Sequence, residues 1–341
     1  VPSSGPLTLD EAKALTRAAL PQAKSKTKSR AALRKEPPET ASPRAVGAER
    51  RKLERAQRAE MKERIREYRA TMALMKRRGA RKPKAKAGPT AAAFAPLQVF
   101  AEGDSWFHYP VPFFGGSIIP RLQSRLGVPI LNLAKAGDEV RYMLGVEQRQ
   151  LIAQQLIDGC PAGGPWDVML FSGGGNDIVD NPMALWVREF DATVPPADLI
   201  HTQRFDHALA LVRAGYEDLI ALRDLHSPTT HLVFHAYDFA IPDGRGICNL
   251  GPWLEPTFTL RGFPATGASR FAVVKEMLLR FAALLADIAS APNVTFLNAQ
   301  GTLSPQPSSW HNELHPKGPG FETFAGKFHA KLKELFPTRV A

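Results

Sequence analysis

From residue 97 onward, short apolar runs alternate with longer stretches of helical periodicity. The runs are Leu97–Ala101, Val128–Ala134, Asp167–Phe171, Leu232–Ala236 and Val294–Asn298. Helical stretches are expected near 116–127, 139–158, 204–225, 270–290 and 319–335. Strand followed by helix, repeated, is the pattern of right-handed βαβ units and a parallel sheet. The expected fold is α/β: a three-layer α/β/α sandwich around a five-stranded parallel sheet of the flavodoxin-like kind, preceded by a basic helical N-terminal extension. In such sheets a site forms outside the carboxyl ends of the strands.

The first 96 residues follow another pattern. Residues 1–48 are rich in Ala, Lys, Ser and Pro and carry few large apolar groups, so they cannot offset the entropy of ordering. They read as a basic tail, disordered or partly helical, with a short helix allowed at Leu7–Ala19 and a solvated tract at Lys24–Lys35. Residues 49–78 contain no Gly or Pro and place Met61, Ile65, Tyr68, Met72 and Met75 at helical spacing, which makes one apolar seam on a basic amphipathic helix. Glu54 and Arg58, and Glu60 and Arg64, are expected to pair along that helix. Residues 79–96 have the Lys, Ala and Pro content of a linker. The remaining unit is 97–341.

Charge sharpens the division. Residues 1–95 hold 25 Lys and Arg against 9 Asp and Glu; of the totals of 44 and 33, that leaves 19 basic and 24 acidic residues for the rest. The net charge of +11 therefore belongs to the arm, and the globular part is mildly acidic. An arm of this kind can dock on an anionic membrane or a delivery partner, or its helix can simply pack on the globular part beside a solvated tail. No aromatic residues interleave the basic tract, which argues against sequence-specific reading of nucleic acid. Removal of the arm is expected to leave the chemistry of the globular part intact. No apolar run of about 18 residues occurs, so no membrane-spanning helix is expected. Cys160 and Cys248 form neither a disulfide framework nor a metal cluster. Val1 is followed by no apolar signal core, an expectation that fits the cytoplasm or export without a cleavable signal.

The residues that follow the strands carry the chemistry. Gly103-Asp104-Ser105-Trp106 follows the first, Asn132 to Gly137 the second, Gly173-Gly174-Gly175-Asn176-Asp177 the third, and Trp310 to Pro316 the fifth. A Ser, a Gly, an Asn and a His at the carboxyl ends of separate strands make a constellation for nucleophilic catalysis. Alone, each block has a plainer reading. Gly-Asp-Ser is a common turn. The glycine run lacks the Gly-Lys-Ser/Thr of a phosphate loop, and His311 and His315 lack the adjacent Glu of a zinc protease, so neither a phosphate loop nor a metal is expected. No Gly-x-Ser-x-Gly elbow occurs.

Taken in order, Gly-Asp-Ser at 103–105, Gly137, Gly-x-Asn-Asp at 174–177 and His-Pro at 315–316 resemble the SGNH hydrolases, also called GDSL esterases and lipases. The resemblance covers about 97–336. It implies ester hydrolysis through an acyl-enzyme, with no cofactor and with a small-molecule, lipid or sugar ester as substrate. By the same resemblance Ser105 is the nucleophile and His315 the base. The oxyanion hole is the N–H of Ser105, the N–H of Gly137 and the side chain of Asn176. Gly137 is expected because a side chain there would obstruct the carbonyl. Asp104 and Asp177 are expected to be structural, bonding backbone N–H groups of their own loops.

One position departs from the family pattern. The carboxylate usually found three residues before the His is Asn312 here, with Glu313 beside it. The site can work as Ser-His-Asn, a backbone carbonyl can orient His315, Glu313 can swing in, or Asn312 is a lesion and the chain is an impaired binding or anchoring protein. Acyl transfer on the same machinery is a further alternative. Trp106, Tyr109, Phe113 and Trp253 are candidates for the substrate pocket, with core packing the plainer reading. Two long inserts, Asp180–Leu199 and Tyr237–Ser269, carry aromatic residues and suit walls or a lid around a site.

Overall fold

The computed structural model describes residues 5–20, 43–78, 96–109, 116–247, 250–266 and 268–340, without the side chains of 43–51 and 53. Phe113, Cys248, the tract at Lys24–Lys35 and most of the expected linker lie outside the described residues.

Five strands form the sheet: β1 (Val99–Gly103), β2 (Ile130–Asn132), β3 (Val168–Ser172), β4 (His231–His235) and β5 (Val294–Leu297). All neighbours are parallel, and the spatial order is β2-β1-β3-β4-β5. That is the flavodoxin-like order, whose switch point lies between β1 and β3. β1 and β3 are buried along their whole length, as a sheet covered on both faces requires. The strand β2 is short, but pairing continues beyond it: the N–H groups of Leu133 and Lys135 donate to the carbonyls of Ala101 and Gly103.

The helices follow the chain as α1 (Leu9–Ala19), α2 (Pro43–Arg78), α3 (Ile118–Leu126), α4 (Val140–Met143), α5 (Val146–Asp158), α6 (Thr202–His226), α7 (Glu255–Leu260), α8 (Ser269–Ile288) and α9 (Gly318–Leu335). The stretch expected as one helix over 139–158 is two, α4 and α5, parted at Leu144 and Gly145. The Gly145 N–H turns back to the Tyr142 carbonyl there.

The seam read from the sequence of α2 is the face it buries. Met61, Tyr68 and Met72 join the core of the sandwich, and Tyr68 lies 6.0 Å from Trp166, ring centre to ring centre. Met75 packs with Leu7, Leu9 and Ala12 of the α1 segment, a small cluster of its own. The charges of α2 reach outward from the helix. Arg58 pairs with Glu147 at 2.7 Å, Glu60 lies 2.9 Å from the His108 ring, and Arg64 donates to the Ala134 carbonyl at 2.6 Å. Glu60 and Arg64 attract each other along the helix as expected, while each side chain also finds a partner across the interface.

Candidate active site

The turn after β1 is shaped by Asp104, which is buried beneath it. Its carboxylate accepts from the Trp106 N–H at 3.0 Å, the Ser172 hydroxyl at 3.0 Å and the Tyr237 hydroxyl at 2.6 Å. Burial pushes its pKa up to about 6, against the pull of those three donors. Gly103 is needed because a Cβ there would lie 2.6 Å from the Ser172 carbonyl oxygen on β3. This turn presents Ser105 at the switch point.

His315 arrives from the loop after β5. Its Nε2 is 2.7 Å from the Ser105 hydroxyl, and its Nδ1 is 2.9 Å from Asn312 Oδ1. The same oxygen accepts from the backbone N–H groups of Leu314 and His315, at 3.0 and 2.9 Å. Two backbone donors identify that atom as the amide oxygen, so the facing Nδ1 carries the hydrogen. Nε2 is then the acceptor, open to the serine proton. Behind it, Asn312 Nδ2 donates to the Tyr109 hydroxyl at 3.1 Å, and that hydroxyl lies 3.1 Å from His311 Nδ1. Tyr109 stacks on the imidazole at 4.3 Å, and Trp253 meets it edge-on at 5.9 Å. Burial, and secondarily the charge on His311, depress the His315 pKa from 6.5 to about 3. The imidazole is therefore neutral at ordinary pH, the state a general base requires.

Glu313 is turned away from the imidazole. One of its oxygens accepts from Gly244 and Glu255 N–H, both at 3.0 Å, and the other from Trp253 and Leu254 N–H at 2.6 and 2.8 Å. It holds the insert that carries α7 and is not free to replace Asn312.

Asn176 and the Gly137 loop meet. Asn176 Nδ2 donates one hydrogen to the Asp138 carbonyl at 2.8 Å, which leaves its second for another acceptor. Among the described residues the N–H groups of Ser105 and Gly137 have no hydrogen-bond acceptor. Gly137 has φ 78°, and a Cβ there would meet no protein atom within 4 Å. Its left-handed backbone, rather than crowding by the protein, is what favours glycine. Asp177 caps the start of α4 through the Val140 N–H at 3.0 Å, a different segment from its own loop, and burial pushes its pKa up to about 6.

A cleft has Ser105, Asn176 and His315 in its wall. The rest of the wall is mostly apolar: Ile178 and Val179 after β3, Leu254 beside α7, and Val274, Met277 and Leu278 of α8. Trp106 contributes to this wall, whereas Tyr109 stands behind His315 and Trp253 touches its ring edge. Three aromatic residues of the two inserts pack the inserts together, while Trp186 packs on Phe205 of α6 and Tyr237 lines the cavity. Phe263 contacts Phe258 at 4.9 Å and Phe190 at 5.0 Å, and the Phe190 N–H donates to the Arg261 carbonyl.

No protein-family model matches the sequence, and no curated protein matches it. Solved structures similar to it at low identity include lipases, a putative GDSL-like lipase, a putative SGNH hydrolase, a carbohydrate acetylesterase and a salicylyl-acyltransferase. A lipase from a goat rumen metagenome is 16% identical over 69% of this chain and 96% of that one, with a TM-score of 0.46. The extracellular lipase of Streptomyces rimosus is 16% identical over 69% and 99%, at 0.44. A carbohydrate acetylesterase of Sinorhizobium meliloti is 15% identical over 70% and 100%, at 0.41. At these scores the likeness carries no weight for activity; the architecture rests on the observed strand order.

Sequence reasoning overlooked several residues of this region. Tyr237, Ser172 and the buried His235 form the polar support under Asp104, with His235 Nε2 2.8 Å from the Ser172 hydroxyl. The cavity wall on α8 was also missed. Its one signal is that α8 is apolar around most of its circumference, more than a helix covering a single sheet face needs.

Proposed function

We propose that this chain is a serine esterase of the SGNH type that hydrolyses a carboxylic ester through an acyl-enzyme. The observation that carries the reading is the relay from the Ser105 hydroxyl to His315 Nε2 at 2.7 Å, continued from His315 Nδ1 to Asn312 at 2.9 Å. The Ser105 oxygen attacks the ester carbonyl carbon while its proton passes to His315 Nε2. The negative oxygen that develops is stabilised by the N–H groups of Ser105 and Gly137 and the free hydrogen of Asn176. The carbon–oxygen bond to the alcohol then breaks, and His315 returns the proton to the leaving alcohol. Water attacks the acyl-enzyme by the same route, releasing the acid and restoring the serine.

Asn312 in place of a carboxylate is compatible with this scheme. It accepts the Nδ1 hydrogen and holds the tautomer that leaves Nε2 open. It stabilises the imidazolium less than a charged group does, and the two rings packed on His315 restrict its motion. The apolar cavity favours an ester with an aliphatic acyl group.

Ser105→Ala and His315→Ala are each expected to lower hydrolysis of p-nitrophenyl butyrate by at least about a thousandfold. Wild-type protein is expected to be labelled by a fluorophosphonate probe, and Ser105→Ala is not. Turnover that persists in the Ser105 variant would defeat the assignment.

A further inference from the structure

The helix α2 lies outside the strand–helix pattern of the sandwich, yet its side chains end beside the proposed oxyanion loop. Residues 133 and 135 turn their N–H groups inward to β1, at 2.8 Å from the carbonyls of Ala101 and Gly103. The alternate carbonyls, of Ala134 and Ala136, face the open edge of the sheet. Among the described residues no further strand covers that edge. Two side chains of α2 cap it instead: Arg64 Nη2 donates to Ala134 O at 2.6 Å and Gln57 Nε2 to Ala136 O at 3.1 Å. Gln57 and Arg64 are seven residues apart, about two helical turns, so they project from one face.

The Ala136 carbonyl and the Gly137 N–H belong to the same peptide group. A trans peptide is planar, and its C=O and N–H point in opposite directions. A donor that fixes the Ala136 oxygen therefore fixes the line along which the Gly137 N–H points. It also polarises the group, which strengthens the N–H as a donor. A third contact holds the other side of the site, since Glu60 of the same helix lies 2.9 Å from the ring of His108, three residues after Ser105.

We infer that Gln57 is a positioning residue for the oxyanion hole: by its bond to Ala136 O it aims the Gly137 N–H at the developing oxyanion, with Arg64 holding the Ala134 carbonyl two residues earlier. The N-terminal helix is thus part of the catalytic apparatus rather than a separable anchor. This inference rests on the esterase reading above, in which Gly137 is an oxyanion donor.

The test uses the full chain and three variants, Ser105→Ala, Gln57→Leu and Gln57→Lys, with p-nitrophenyl butyrate as substrate and butylboronic acid as inhibitor. The Ser105 oxygen adds to boron and its proton goes to His315. The resulting tetrahedral boronate anion places an oxygen where the oxyanion of the reaction sits. Gln57→Leu keeps the bulk and removes the donor. It is expected to lower kcat by about tenfold to fiftyfold, part of the loss seen when an oxyanion donor is removed outright. KM is expected to stay within about twofold, and boronate affinity to fall by the same factor as kcat. Gln57→Lys restores a donor and is expected to recover most of both. The inference is overturned if Gln57→Leu keeps wild-type kcat and boronate affinity, if only KM changes, or if Gln57→Lys is as impaired as Gln57→Leu. Absence of Ser105-dependent turnover in the wild type is a different result: it removes the esterase reading itself.

Discussion

At residue scale, the site turns on an amide where a carboxylate is usual. A carboxylate can face the imidazole through either oxygen, whereas an amide has one correct orientation. Here two backbone N–H groups on Oδ1 and the Tyr109 hydroxyl on Nδ2 set it. The large penalty of an amide in a serine protease arises through the wrong tautomer, a fault this arrangement avoids. Asn312→Asp is therefore expected to raise turnover above pH 7 by less than about a hundredfold. Its clearer effect is on pH dependence. Burial, and secondarily the neighbouring His311, lower the His315 pKa from 6.5 to about 3, so the imidazole stays neutral as pH falls through 6.5. Wild-type kcat/KM should thus show no acid limb near pH 6.5 from this group. A carboxylate at 312 favours imidazolium and raises that pKa, so the acid limb of the variant should move up by at least about one pH unit, read from kcat/KM profiles.

At element scale, Glu313 joins the loop that carries His315 to the insert around α7. Burial raises its pKa, and four backbone N–H groups from Gly244 and the turn Trp253–Glu255 oppose that shift. The carboxylate is matched to four donors because it has only acceptors to offer. Glu313→Gln sets an NH2 group against backbone N–H groups. It is expected to destabilise the protein by about 2–3 kcal/mol in urea unfolding and to speed proteolysis between 244 and 255. A wild-type unfolding midpoint and cleavage rate in that variant would contradict the role. The split of the expected 139–158 helix belongs to the same scale. Apolar periodicity runs through both halves, and only the backbone turn at Gly145 separates them.

At the scale of the whole molecule, the arm and the sandwich share a core. Met61, Tyr68 and Met72 of α2 pack with the residues that support the sheet, and Arg58, Glu60 and Arg64 all reach partners on it. Composition alone favours a removable arm, with truncation leaving activity intact; the docked helix leads to the opposite expectation. Deletion of residues 1–95 uncovers Trp166 and leaves the edge carbonyls of Ala134 and Ala136 without their side-chain donors. It is expected to lower Tm by about 10–20 °C and to cost at least about tenfold in ester turnover. Calorimetry and the p-nitrophenyl assay on the truncated chain check this. Unchanged values in both would show that the arm is dispensable.

Much of this protein was legible along the chain. Apolar runs and helical periodicity are local, so they identify five strands, their flanking helices and the buried seam of α2. The order of the blocks points to Ser105, Asn176 and His315 because residues that follow parallel strands share one end of the sheet. What the chain does not reveal is which distant groups meet. The Tyr109 hydroxyl behind Asn312, the Glu313 anchor, the α8 wall of the cavity and the grip of Gln57 on the Ala136 peptide depend on distant parts of the chain, the hydrogen bonds among them joining residues 58 to 203 apart in sequence. No local period encodes such contacts. Only burial of the shared core brings those groups within hydrogen-bond distance.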